Sequence, residues 1–158
     1  MKKRIVTLSL VTPLWFASPL LTQYTDPVEQ LMSTKECPGC DLSGVNLNGT
    51  DLSGVNLSGA DLEDANLKNT LLVGANLSGA NLRGADLTQA MLSGANISGA
   101  NFTYANLTDA NLFRAKANGS EGADFTGAKL SGTIMPNGTV YQKPAVAPST
   151  SQFPLNFR

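Results

Sequence analysis

The chain has 158 residues, enough for one ordinary domain and too few for two well-filled ones. Its usage is narrow: 22 Leu, 17 Ala, 15 Gly and 14 Asn make up 68 of those residues, and only 15% are charged against roughly 25% in an average soluble domain. Histidine is absent, which excludes imidazole acid–base catalysis, Ser-His-Asp and Cys-His nucleophiles and most zinc sites, and a net charge of −1 argues against nucleic-acid binding through a basic surface.

Lys2, Lys3 and Arg4 precede an apolar stretch from Ile5 to Leu21 that contains Pro13 and Pro19. A basic start before a short apolar run is the layout of a secretory signal, and the run is too short and too proline-broken for a membrane-spanning helix. Residues 1–25 are therefore expected to be a signal peptide, cut after Ala17 or Ser18 or nearer Thr22, with membrane attachment only if this segment is retained. Without it the chain carries 8 Lys+Arg against 12 Asp+Glu, a net of about −4.

Asp26-Pro27-Val28-Glu29 supplies a helix N-cap, a proline at the first helical position and an acid at the third. Val28, Leu31 and Met32 then fall on one face, so a short helix over 27–35 is expected to lay that face on whatever follows. Residues 26–39 are thus expected to form a capping helix and the loop of Cys37-Pro38-Gly39-Cys40, with the last of these opening the segment that follows.

From Leu42 to Leu112 a large apolar residue returns at every fifth position, with Ile97 and Phe102 as the two that are not leucine. Two positions before each stands a small residue, such as Ala60 or Ala75; Asn or Asp usually lies between them, and Ser-Gly often follows. Five residues advance an α-helix by about 500°, and an odd period sends alternate leucines to opposite faces of a flat strand. The spacing works only if the chain turns once per repeat. The small residue and the leucine then point inward, the Asn or Asp points outward, and Ser-Gly makes the corner. Stacked turns give a solenoid with leucine along its axis.

Repeats such as Ala75-Asn76-Leu77-Ser78-Gly79 and Ala85-Asp86-Leu87-Thr88-Gln89 resemble the pentapeptide repeat family, continuously from Cys40 to Arg114 and again around Ala123 to Gly132. The resemblance implies an all-β fold, a right-handed quadrilateral β-helix with four repeats per coil, here over 40–138 and capped by the short helix. The leader, helix, CxxC and repeats in succession are similar to exported cyanobacterial members, which implies the periplasm or thylakoid lumen, or secretion, and no assigned chemistry.

Beyond Leu112 the pattern falters: Ala117 takes a leucine position, and Ser120-Glu121-Gly122 reads as a three-residue bulge before the register resumes at Phe125, Leu130 and Met135. Pro136-Asn137-Gly138 closes the repeats with a turn. Residues 139–158, with Pro144, Pro148 and Pro154, read as a flexible tail whose Phe153, Leu155 and Phe157 are able to fold back.

Two features carry candidate chemistry. Cys40 falls on an inward small-residue position with Cys37 just outside the first repeat, which suits a disulfide pinning the helix to the first coil, or alternatively a thiol–disulfide redox role. No catalytic residue, metal site or cofactor is expected. The second feature is a surface. With 20 residues per coil, Asp51, Leu71, Met91 and Asn111 stack on one face, so two polar positions have become apolar, and Val73 and Phe113 replace Ser or Thr beside them. Leu71, Val73, Met91 and Phe113 form a candidate contact patch for a protein partner, a second copy or the tail. The leading reading is a non-enzymatic exported scaffold or interaction module that does not bind nucleic acid. The alternatives are the redox role and a DNA-mimic mode, which the resemblance implies because some members of the family are similar to a duplex in shape and charge, and with which Asp41, Asp51, Asp61, Glu63 and Asp64 and the lack of a cation over residues 40–64 agree.

Overall fold

Each five-residue repeat forms one side of a square coil in the computed structural model, which describes residues 26–117 and 122–142. The expected signal peptide, most of the expected bulge and the aromatic residues near the C-terminus lie outside the described residues. Parallel bridges join residues twenty apart, from Glu36↔Asn56 through Asn96↔Lys116, and build a right-handed quadrilateral β-helix with five rungs on each of its four faces. The faces are centred in turn on Cys37, Leu42, Leu47 and Leu52 and on the residues stacked over them.

A single repeat shows why the chain accepts this shape. Asn81 N–H donates to Ala60 O at 2.9 Å on one neighbouring coil, while Leu82 and Gly84 N–H donate to Asn101 and Thr103 on the other at 2.8 and 2.9 Å. Ala85 N–H closes the corner on Leu82 O at 3.1 Å, and Arg83 N–H is taken by the Asn81 side chain at 3.3 Å. All five backbone donors are thus satisfied, as burial against a narrow core requires. The outward Asn or Asp is a backbone partner as well as a surface residue.

The interior holds one large and one small side chain per repeat. Leucines at 57, 62, 67, 72, 77, 82, 87 and 92 are buried, with alanines at 60, 65, 75, 80, 85 and 90 filling the space beside them. Phe125 stacks on Phe102 at 5.0 Å near the C-terminal end. Threonine enters the core only where its hydroxyl has a carbonyl to reach: Thr70 Oγ1 donates to Leu47 O at 2.9 Å and Thr133 Oγ1 to Leu107 O at 2.6 Å.

The corner demands a left-handed backbone. Gly79 and Gly99 adopt it at φ +67° and +66°, whereas Asp64, Asn69, Gln89, Tyr104, Asp109 and Arg114 are held there against their preference at φ 54–60°. Space is matched to this. A Cβ at Gly84 would meet the Asp64 carboxylate one coil back, one at Gly127 would meet the Tyr104 ring, and one at Gly132 would meet the Asp109 carboxylate, so at these corners glycine makes room for the larger residue below it.

Both ends depart from the sequence expectation. Helix α1, Pro27–Thr34, is capped by Asp26, which accepts from Val28 N–H at 2.9 Å, and is stopped by left-handed Lys35. Leu31 is buried and Val28 packs beside it, but Met32 is 51% exposed, so the expected three-residue face is only two residues wide. The helix rests on the coil end along the line of Leu31, and the next residue is rotated about 100° from that line. The ladder also starts one repeat before Cys40: Glu36 pairs with Asn56, and Cys37 fills a leucine position.

At the other end, spacings of 23 in Asn101↔Asp124, Asn106↔Lys129 and Asn111↔Ile134 place three extra residues between Lys116 and Asp124. Of the flexible tail expected over 139–158, residues 143–158 lie outside the described residues, and the first four are corrected. Residues 139–142 turn back antiparallel on the last coil, with Met135 N–H on Thr139 O and Tyr141 N–H on Thr133 O, each at 2.7 Å, and Val140 bridged to Ile134. Pro136-Asn137-Gly138 permits the reversal, with Gly138 at φ +85°.

Two substitutions in one repeat have opposite predicted signs. Leu87→Ala removes a buried stacking side chain and should cost about 2–5 kcal/mol in denaturant unfolding. Gln89→Gly relieves the strained corner and, after the extra flexibility of the unfolded chain, should leave stability unchanged or raise it by up to about 1 kcal/mol.

Candidate functional site: an apolar strip on the fourth face

Three faces of the prism carry continuous polar columns. Asn66 donates to Asn46, Asn76 to Asn56, Asn96 to Asn76 and Asn101 to Asn81, at 3.0–3.3 Å, so side-chain amides stack coil upon coil. Each side-chain oxygen also accepts from the backbone two residues on, as Asn76 does from Ser78 N–H at 3.2 Å.

The fourth face breaks this rule. Its column reads Asp51, Leu71, Met91, Asn111 and Ile134. Asp51 and Asn111 still accept from Ser53 and Phe113 N–H at 2.9 Å, but Leu71 and Met91 have no oxygen to offer Val73 and Ser93. Leu71, Val73, Met91 and Phe113 are 36, 41, 41 and 40% exposed. These four side chains, expected from the sequence to share a face, are brought together across adjacent rungs.

Further residues extend the strip beyond that expectation. Ile134 occupies the next rung of the column, Pro136 takes the position of Ser53 and Val73, and Val140 lies exposed beside Ile134. Pro136 suits its place because it has no N–H for Ile134 to satisfy. The Arg114 guanidinium lies 5.0 Å from the Phe113 ring centre and gives the strip a cationic border.

The acidic residues separate on folding. Asp41, Asp61, Glu63 and Asp64 lie along the second face and its corner, while Asp51 belongs to the fourth. Arg83 forms an ion pair with Glu63 and lies 5.9 Å from the Tyr104 ring centre, which places a cation within that acidic run. Hydrogen bonds from the Ser43 and Ser53 hydroxyls, then from their backbone N–H groups, hold the Asp41 and Asp51 carboxyls below the ordinary 3.8. Burial pushes the Asp86 carboxyl up, but hydrogen bonds from Thr88 and the ammonium of Lys68, 3.1 Å away, together outweigh it and lower the pKa.

Cys37 and Cys40 are bonded through sulfur, with Cα atoms 5.3 Å apart. Cys37 is fully buried, its sulfur 3.4 Å from Pro27 O, and Cys40 is partly buried. Among the described residues, no cluster of three or more Asp, Glu, Cys or His is arranged to hold a metal, and no helix is long and apolar enough to cross a membrane.

The family described as pentapeptide repeats (8 copies) matches residues 40–79, 80–116 and 105–137. The chain belongs to the pentapeptide repeat family. Among solved relatives, a pentapeptide repeat protein of the Arabidopsis thaliana thylakoid lumen is 37% identical, over 66% of this chain and 68% of its own, with a TM-score of 0.46. Rfr23, from the cyanobacterium Cyanothece 51142, is 30% identical over 70% of this chain and 95% of its own, also with a TM-score of 0.46. No curated protein matches the chain.

The lowered carboxyls of this pentapeptide repeat protein tie its stability to pH. A carboxyl whose folded pKa lies below its unfolded value stabilises the fold fully above the unfolded value, and that contribution is lost as pH falls through the folded one. Thermal melts should therefore be flat from neutrality to about pH 5 and fall below about pH 4. Asp86→Asn, which abolishes the Lys68 pair, should make the acid-side decline shallower; an unchanged decline would remove Asp86 from the account.

Proposed function

We propose that this pentapeptide repeat protein is a non-enzymatic scaffold, exported to the periplasm, thylakoid lumen or cell exterior, that holds a protein partner on the apolar strip of its fourth face. The observation that carries this reading is the substitution of the polar column by Leu71 and Met91. At those rungs Asn would give the backbone an acceptor and the column an amide, and the protein instead presents aliphatic side chains to solvent on a rigid backbone. Fixed apolar groups at one β-sheet spacing, about 4.8 Å, bordered by a cation, are suited to a complementary protein surface.

Export is supported by the basic-apolar start and by a disulfide, which persists in oxidising compartments. The burial of Cys37 supports a structural role for that bond, since catalytic thiols need access and a cationic environment whereas Glu36 and Asp41 flank this pair. The DNA-mimic reading is weakened by Arg83 within the acidic run and by the separation of Asp51 from it.

Replacing Leu71 and Met91 together with Asn should leave unfolding stability the same or slightly higher, while abolishing capture of the partner from the protein's own compartment. Undiminished capture, with the monomer mass also unchanged, would sink the strip as the binding face. If wild type dimerises and the double variant does not, the occupant is a second copy. Reduction of the disulfide should lower stability by about 2 kcal/mol for so short a loop, without loss of binding. A Cys37 thiol that reacts rapidly in the folded protein would favour the redox role instead.

A further inference from the structure

The two borders of the fourth face differ rung by rung. On the side of the third face the corners read Gly49, Asn69, Gln89, Asp109 and Gly132. On the side of the first face they read Gly54, Gly74, Gly94, Arg114 and Asn137. Asp109 and Arg114 therefore share one rung at opposite borders. Both are exposed, and among the described residues neither forms an ion pair. Bulk alternates in the same way: where one border carries Asn69 or Gln89, the other has glycine on that rung. Between the borders run two outward columns, Asp51, Leu71, Met91, Asn111 and Ile134 beside Ser53, Val73, Ser93, Phe113 and Pro136.

Building on the strip as a docking face, we infer that its occupant is a second copy of this chain, laid fourth face to fourth face about a twofold axis that runs alongside the solenoid. Such an axis sets every rung on the same rung of the other copy and exchanges left for right. Leu71 then faces the partner's Val73, and Ile134 faces the partner's Pro136, each contact being made twice. Met91 faces the partner's Ser93, a small residue between Val73 and Phe113, so a flexible thioether meets a notch with apolar walls. At both rims Asp109 meets the partner's Arg114, while Asn69 and Gln89 meet the glycines at 74 and 94. An antiparallel pairing centred on the apolar rungs keeps left on left. It sets Arg114 against Gly94 and Asp109 against Gln89, and so loses both ion pairs. Charge complementarity thus selects the parallel dimer. The face is five rungs tall at about 4.8 Å each and one repeat wide, so the pair buries on the order of 800 Å² in all, the size of a weak and reversible dimer.

Sedimentation velocity on the full chain, from micromolar to millimolar protein, tests this pairing. Wild type should pass reversibly from monomer to dimer as concentration rises. Asp109→Arg and Arg114→Asp should each weaken self-association at least about tenfold, because like charges then meet on both rims. An equimolar mixture of these two variants should regain the dimer, since in the mixed pair each rim again joins opposite charges. Leu71→Asn with Met91→Asn should abolish it, and every variant should keep the cooperative melt of the wild type. A wild type that stays monomeric throughout would overturn the proposal. If the Leu71→Asn, Met91→Asn variant of that monomer also loses capture of another protein, the strip stands as a docking face and only the second copy is excluded. A dimer that survives the charge reversals, or that mixing does not restore, would equally overturn the parallel pairing.

Discussion

A repeat of this length makes only one backbone hydrogen bond within itself, the corner bond typified by Ala85 N–H to Leu82 O. Its other main-chain donors are satisfied by the coils on either side or by its own outward Asn or Asp. A lone coil would expose those groups and bury one leucine and one small residue for every five residues ordered, so stacking rather than any local propensity holds the fold. The rest of the molecule follows from that dependence. The N-terminal end is covered by α1 through Leu31, the interior is an uninterrupted stack, and the C-terminal end is where, among the described residues, acceptors run out.

The same dependence explains why the surface is so uniform and why its exceptions carry information. An Asn in the outward column bonds the backbone two residues on and the amide one coil away, so the position serves both the fold and the surface. At Leu71 and Met91 both services are given up over consecutive rungs, on the face where Val73 and Phe113 also replace hydroxyl residues. Local consistency between sequence and fold fails there and again at Ile134, while the columns of the other three faces stay polar, the pattern expected where a surface is shaped for something other than stability.

Much of this was legible in the sequence because every position of the repeat has one dominant physical duty. The five-residue period, the small residue two before each leucine and the corner glycines together dictate a solenoid that turns once per repeat, the family resemblance implies four repeats per coil, and a 20-residue count then brings Leu71, Val73, Met91 and Phe113 to one face. What was not legible has specific causes. Cys37 occupies a leucine position, but its CxxC context disguises it as a loop, hiding the first rung at Glu36. The three-residue insertion after Lys116 defeats the 20-residue count, so Ile134 and Pro136 were not placed on the strip, although counting onward from the Leu130–Met135 pair would have found them. Residues 139–142 carry no period because they run antiparallel to the coils, and only their hydrogen bonds reveal them.

A rigid prism separates the residues that make the fold from those free to vary. The inward pair and the corner are constrained by packing and by φ, while the side chains just before and after each leucine point outward at spacings fixed by the backbone. A partner docking on the fourth face would meet apolar groups whose separations along the axis are set by the β-ladder, with little ordering cost on binding. Recognition on such a face would rest on spacing and shape, which require neither histidine nor many aromatics nor a metal cluster among the described residues. Covering an end matters for the same reason: α1 lays Leu31 on the first coil, so the β-edge there does not compete for partners by pairing indiscriminately through the backbone.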